Sequence, residues 1–157
     1  MHIVLYQPEI PPNTGNIIRL VANTGCFLSI IEPMGFSWDD KQLKRAGLDY
    51  HMLAHVKRYP NWDHWIESHR PQRIFGLTTK GTTRYDTVSY QKNDTLVFGP
   101  ETRGLPSDIL TSLPKEQLLY IPMQAQSRSL NLSNAVAICT YEALRQTGFS
   151  QLITKGA

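Results

Sequence analysis

Cysteine is scarce in this chain: 157 residues contain only Cys26 and Cys139. The two lie far apart in no C-x-x-C pattern, which argues against a disulfide-stapled scaffold or a thioredoxin-like redox motif. It points to two reduced thiols in a cytosolic protein. Also missing is any apolar run near the ~18–20 residues of a membrane span. The N-terminus, M-H-I-V-L-Y-Q-P-E, has no basic n-region and no long apolar h-region, and reads as a first strand rather than a signal peptide. Net charge is small: Lys and Arg total 16 against 13 acidic residues, giving +3. That balance does not by itself demand a nucleic-acid partner. Cations nevertheless cluster at Lys41, Lys44 and Arg45, at Lys57 and Arg58, and at Arg70 and Arg73. Solvated helix faces explain such clusters, and a symmetric dimer would double them into a broader positive surface.

Several catalytic signatures are absent as well. No G-x-G-x-x-G follows a strand, so the usual dinucleotide fingerprint is missing. Gly99 and Gly104 have P-loop glycine spacing, but Leu105-Pro106 stands where Lys-Ser/Thr is required. His51 and His55 are four apart, yet Met52 occupies the glutamate position of H-E-x-x-H, and no metal site is expected. No G-x-S-x-G or Cys-His arrangement supports acyl transfer. Trp62, His64, Trp65 and His69 fall in one helix and read as core packing with a wet edge.

What is present suits one domain over residues 1–157, with 41% hydrophobic and 18% charged residues. Strand-like runs occupy 2–6, 27–32, 73–79, 95–99 and 118–123, with 54–59 a weaker candidate. Helix-like segments occupy 14–24, 39–47, 61–70, 107–112 and 131–147. No internal repeat or linker interrupts them. This alternation predicts an α/β fold with a mostly parallel sheet covered by helices on both faces.

Two helices carry readable faces. In 14–24, Asn13 reads as the N-cap. Asn16, Arg19 and Asn23 fall within about 60° of one another, and Ile17, Ile18, Leu20 and Val21 cover the remainder. The narrow polar stripe is either a solvated face or a functional one. In 131–147, residues Ala135 to Cys139 are apolar in succession and surround the axis. A helix apolar all round needs cover on all sides. One face is therefore expected on the sheet and another against a second copy of the chain, a homodimer. Asn134, Ile138, Tyr141 and Arg145 form a second stripe, mostly polar.

The most informative segment is 96–106, L-V-F-G-P-E-T-R-G-L-P. A short apolar run stops at Gly99-Pro100, and a polar loop with Glu101, Thr102 and Arg103 follows. Strand, glycine turn and polar loop make a ligand rim at a carboxyl strand end, where open α/β sheets place their sites. Two other segments look like parts of the same rim: P-P-N-T-G-N-I-I-R at 11–19, and I-P-M…S-R-S-L-N-L-S-N-A at 121–135.

Together the three segments resemble the motifs of the SPOUT class of RNA methyltransferases. Pro8 to Arg19 resembles P-x-I-P-x-N-x-G-N-x-x-R, and Phe98 to Leu105 resembles F-G-x-E-x-x-G-L. Ile121 to Met123 with Ser129 to Ala135 resembles I-P-M…S-L-N-x-S-N-A. The short length is similar to the minimal subgroup of tRNA (cytidine(34)-2'-O)-methyltransferases, which also act on a modified uridine at the wobble position. The resemblance implies a C-terminal trefoil knot, an obligate homodimer and metal-free transfer from S-adenosylmethionine to a ribose 2'-hydroxyl in the tRNA anticodon stem-loop. It implies cofactor contacts from Leu77, Gly99, Ile121, Met123, Ser129 and Leu130. It assigns the chemistry to Arg19, Asn13, Glu101, Ser129, Asn131 and Tyr141. A guanidinium with a pKa above ~12 is a poor base, so Arg19 either takes the hydroxyl proton or binds a neighbouring phosphate and orients the hydroxyl. Glu101 is expected to fix backbone amides or Arg19, Asn13 to hold the first-motif loop, and Ser129 and Asn131 to cap the last helix. Methylation at another tRNA or rRNA position, a non-catalytic RNA-binding protein of the same fold, and a small-molecule α/β enzyme are the competing readings.

Overall fold

Short apolar runs separated by amphipathic stretches fold as that alternation requires. The computed structural model describes residues 1–45, 47–150 and 152, side chains at 40, 42, 44 and 50 excepted. In chain order the elements are β1 (His2–Tyr6), α1 (Pro11–Thr24), β2 (Phe27–Ile31), α2 (Asp40–Arg45), α3 (Tyr50–Leu53), β3 (Val56–Tyr59) and α4 (Trp62–His69). There follow β4 (Ile74–Leu77), β5 (Thr83–Arg84), β6 (Thr95–Phe98), α5 (Ser107–Ser112), β7 (Leu118–Tyr120) and α6 (Leu132–Gln146). The strands form one seven-stranded sheet in the order β3-β2-β1-β6-β4-β7-β5. Every described pairing is parallel, the register running through His2 opposite both Phe27 and Thr95.

Alternate strand residues face opposite layers. Ile3, Leu5, Leu28 and Leu96 meet Ile17, Ile18 and Val21 of α1 and Val136, Cys139 and Ala143 of α6. Val4, Ile31 and Val97 meet Trp65 of α4 and Ile109 of α5 on the other face. Both thiols are buried and free, and burial pushes the Cys139 thiol up to about 12. Among the described residues no helix is long and apolar enough to cross a membrane.

Several boundaries differ from the sequence reading. Helix α1 starts at Pro11, and its N-cap is Ile10 without any side-chain cap bond, so Asn13 is not the cap. Proline has a preset φ and no N–H to satisfy, so the Pro11-Pro12 pair fits the first helical turn. The helix expected over 39–47 ends at Arg45, with residue 46 outside the described residues. Gly47 then takes φ +82°, and α3 begins under an Asp49 cap that accepts from the Met52 amide at 3.0 Å. Neither α3 nor the two-residue β5 is visible in the hydrophobic pattern.

Parts of the basic clusters serve the fold. Arg73 donates to Asp94 at 2.7 Å and to the Ser89 carbonyl at 2.9 Å, and Asp94 is 2% exposed. Arg58 pairs with Glu32 at 3.1 Å, and Lys57 lies 5.2 Å from the Tyr59 ring centre.

Beside the amino end of β1, the buried Trp65 donates its indole N–H to Ser29 Oγ in the middle of β2 at 3.1 Å, and Ser29 Oγ lies 2.8 Å from His2 Nε2. The indole can only donate, so the Ser29 oxygen accepts from it. Burial, then the neighbouring His69 and N-terminus, lower the His2 pKa from 6.5 to about 3. As pH falls, the unfolded chain takes up this proton before the folded one does. Stability is therefore full above about 6.5 and declines towards about 3. Urea unfolding between neutral pH and about pH 4 should show this decline, and a shallower one in His2→Gln.

Candidate active site

Strand β6 ends at Phe98, and the next residue must be glycine. A Cβ on Gly99 would stand 2.2 Å from the Gly104 carbonyl carbon and the Leu105 nitrogen, because the loop doubles back against its own start. The return is made at Gly104, whose φ of +69° favours glycine. Between the two glycines the loop projects Glu101, Thr102 and Arg103 towards the segment that enters α1.

There the loops exchange carboxylates. Glu101 accepts from the Glu9 amide at 2.7 Å, the Ile10 amide at 3.1 Å and Asn13 Nδ2 at 3.1 Å. Glu9 in return accepts from the Thr102 hydroxyl at 2.7 Å, the Thr102 amide at 3.1 Å and Arg103 Nε at 3.2 Å. The Thr102 hydroxyl, followed by the Thr102 amide and Arg103, holds the Glu9 carboxyl below the usual carboxylate range.

The third segment joins through Asn13. Its Oδ1 accepts from Asn131 Nδ2 at 2.9 Å. Asn131 in turn caps α6, its Oδ1 accepting from the Ser133 amide at 2.9 Å and the Asn134 amide at 3.4 Å. An unbroken chain of hydrogen bonds thus runs from the loop after β6, through the start of α1, to the start of α6. Asn131 performs the expected capping, and no capping bond is made by Ser129. Of the roles foreseen for Glu101, the fixing of backbone amides is the one present in these bonds.

A cavity of about 920 Å³ lies against this junction. Leu77, Gly99, Ile121, Met123, Ser129 and Leu130 all line it, and so do Asn13, Glu101 and Asn131. Sites for small organic molecules fall at ~300–1,000 Å³. Its rim also carries Lys80, Arg103 and Arg128, of which Lys80 and Arg128 were not singled out from the sequence. Glu9 was missed as well, although it lies inside the first motif between Pro8 and Ile10.

Arg19 and Tyr141 line a different part of the molecule. Asn13 and Arg19 project about 120° apart on the same helix, so one chain does not aim both at one cavity. Arg19 lines a second cavity of about 520 Å³ together with Asn16, Phe36 and Trp38. Gly47 borders its guanidinium, a Cβ there standing 3.4 Å from Nη2. Tyr141 is 47% exposed on the outer face of α6, beside Ile138 at 37%. Asn16, Arg19 and Asn23 form an exposed stripe, as their spacing predicts. Among the described residues no cluster of His, Cys, Asp or Glu is arranged to hold a metal ion.

Comparison with known proteins gives a consistent picture. The model of the SpoU rRNA Methylase family matches residues 1–141. The chain is 62% identical over 149 residues to a tRNA (cytidine(34)-2'-O)-methyltransferase of Escherichia coli (strain K12), covering 95% of each chain. A solved structure concerned with the 2-OH methylation of C/U34 on tRNA superposes with a TM-score of 0.85 at 41% identity, covering 94% of this chain and 95% of that one. The SpoU methyltransferase AviRb from Streptomyces viridochromogenes, solved in complex with the cofactor AdoMet, gives a TM-score of 0.78 at 25% identity over 94% of this chain and 57% of that one.

The clasp has a measurable weight. Glu101→Ala removes an acceptor from two backbone amides and Asn13, and should lower unfolding free energy by about 2–3 kcal/mol. Glu101→Gln keeps one acceptor oxygen and should recover part of that loss; urea unfolding of both variants measures it.

Proposed function

The chain belongs to the SpoU rRNA methylase family, and on that premise we propose that it is an S-adenosylmethionine-dependent enzyme that methylates the ribose 2'-hydroxyl of tRNA nucleotide 34, a cytidine or a modified uridine. The observation that carries the reading is the meeting of three distant segments at one cavity, pinned by Glu101, Asn13 and Asn131. The near-full-length likeness to a tRNA (cytidine(34)-2'-O)-methyltransferase supports nucleotide 34 as the target.

The cavity suits the cofactor. Leu77, Ile121, Met123 and Leu130 offer apolar walls, and Ser129 offers a hydroxyl. A Cβ at Gly104 would meet nothing within 4 Å, so this turn leaves open space at the rim. These side chains, with the backbone at Gly99, would hold S-adenosylmethionine, which when bound supplies an electrophilic methyl group on a sulfonium. The protein's task is then largely alignment and exclusion of water. The apolar walls perform the second. Glu101 and Asn13 perform the first by fixing the loops on either side. Arg19 binds the phosphate beside the target ribose and orients the hydroxyl.

For Arg19 to act there, a second copy must bring it. The exposed Ile138 and Tyr141 on α6 and the exposed Ile10 and Leu130 beside the site support a homodimer in which one protomer's Arg19 serves its partner's cavity. The proposed fold includes a C-terminal trefoil knot. It is supported by the position of β7 between β4 and β5, strands joined by residues 78–82 alone. That short connection crosses directly over β7, where a Cβ on Gly81 would lie 2.5 Å from the Leu119 carbonyl carbon. The cytoplasm, where tRNA is modified, is the proposed location.

Calorimetry should show S-adenosylmethionine binding, and labelled methyl groups should enter tRNA at nucleotide 34 and not rRNA. Failure to bind the cofactor would favour a non-catalytic RNA-binding protein. Arg19→Ala should bind the cofactor normally and lose turnover. Co-expression of Arg19→Ala with Ser129→Ala should restore part of the activity, since a mixed dimer retains one complete shared site. Full inactivity of purified mixed dimers would refute sharing between protomers.

A further inference from the structure

The ribose 2'-hydroxyl is the same on every nucleotide, so an enzyme that modifies one position must read something else. The cavity against the three motifs is taken up by the cofactor reading. The second cavity, about 520 Å³, is lined by different residues, and among the described residues none is shared between the two linings. It lies between the first turns of α1 and residues 36–39, 43 and 48.

Its chemistry matches a nucleobase. Phe36 and Trp38 offer aromatic surface, and Asn16 and Arg19 offer polar groups. The Arg58 guanidinium lies 5.2 Å from the Trp38 ring centre and is itself held by Glu32 at 3.1 Å, which steadies the indole. Single-stranded RNA is read by this combination: an unstacked base laid on an aromatic ring, with polar groups at its edge.

Resting on the methyltransferase reading, we propose that this cavity receives the base of the nucleotide being methylated, stacked on Trp38. Arg19 stands at the same cavity and, in the proposed role, grips the phosphate of that nucleotide. Base and phosphate are then held from one protomer while the ribose hydroxyl is presented to the partner's cofactor. Trp38 is a specificity-determining residue in this arrangement, and Asn16 meets the base edge.

The test uses the full-length protein and two synthetic anticodon stem-loop RNAs, one with cytidine at nucleotide 34 and one abasic there. Wild type should bind the abasic RNA roughly tenfold or more weakly than the cytidine RNA. Trp38→Ala should lose roughly tenfold to hundredfold on the cytidine RNA and should no longer distinguish the two. Trp38→Phe, which keeps a ring, should recover most of the affinity and of the discrimination. Calorimetric affinity for S-adenosylmethionine should be unchanged in both variants, which also reports that they are folded. Discrimination that survives in Trp38→Ala, or that is absent from wild type, overturns the subsite. Wild type that neither binds the cofactor nor methylates nucleotide 34 would instead overturn the reading beneath it.

Discussion

The carboxylate of Glu101 is the point from which the rest of the site takes its shape. Helix α1 begins without a capping side chain, and its first two residues are prolines with no N–H to offer. The nearby amides of Glu9 and Ile10 still point at an acceptor, and the helix start favours negative charge. Glu101 supplies both from a loop more than ninety residues away. Two acidic residues facing each other across loops would ordinarily repel. Here each is surrounded by N–H and O–H donors, and Arg103 adds a positive charge to Glu9. The result is a reciprocal clasp rather than a like-charge contact, and Asn13 extends it to the start of α6.

In the proposed function that clasp fixes one half of a reaction site and leaves the other half elsewhere. Asn13 and Arg19 belong to one helix yet face cavities that share no lining residue among those described. In the proposed dimer the separation becomes an advantage. The loops that surround the cofactor stay rigid in one protomer, while the residues that grip RNA approach from the other. Ile138 and Tyr141 on the outer face of α6 then have a reason to be exposed in one chain and covered in two. A modest net charge of +3 also becomes less puzzling, since recognition by stacking in an aromatic cavity depends less on bulk charge than phosphate binding does.

The regular elements were legible because their signals are local. The expected segments at 2–6, 61–70, 107–112 and 131–147 correspond closely to β1, α4, α5 and α6. The parallel sheet followed from apolar runs buried on both faces. Misreadings arose where a residue's partner lies far along the chain. Asn13 has the chemistry of a cap, but its side chain bonds Glu101 and Asn131 instead, and the prolines start the helix earlier. The strand β5 consists of two residues that are extended only because β7 lies beside them. Arg73 reads as one member of a basic cluster, and only packing shows that it neutralises the buried Asp94. The motif residues were found by resemblance rather than by periodicity, and Glu9 was passed over because its donors, Thr102 and Arg103, lie in a distant loop.

The sequence by itself determined the alternation of strands and helices, the faces each buries and the residues that compose the three segments. These depend on spacing within a few turns of chain, where backbone periodicity alone sets direction. Only the tertiary structure decided that β6 lies between β1 and β4, that β7 lies between β4 and β5, that Glu101, Asn13 and Asn131 meet, and that Arg19 does not join them. Lateral strand order and side-chain meetings across ninety or more residues are set by how whole layers pack. No stretch of sequence read in isolation carries that information.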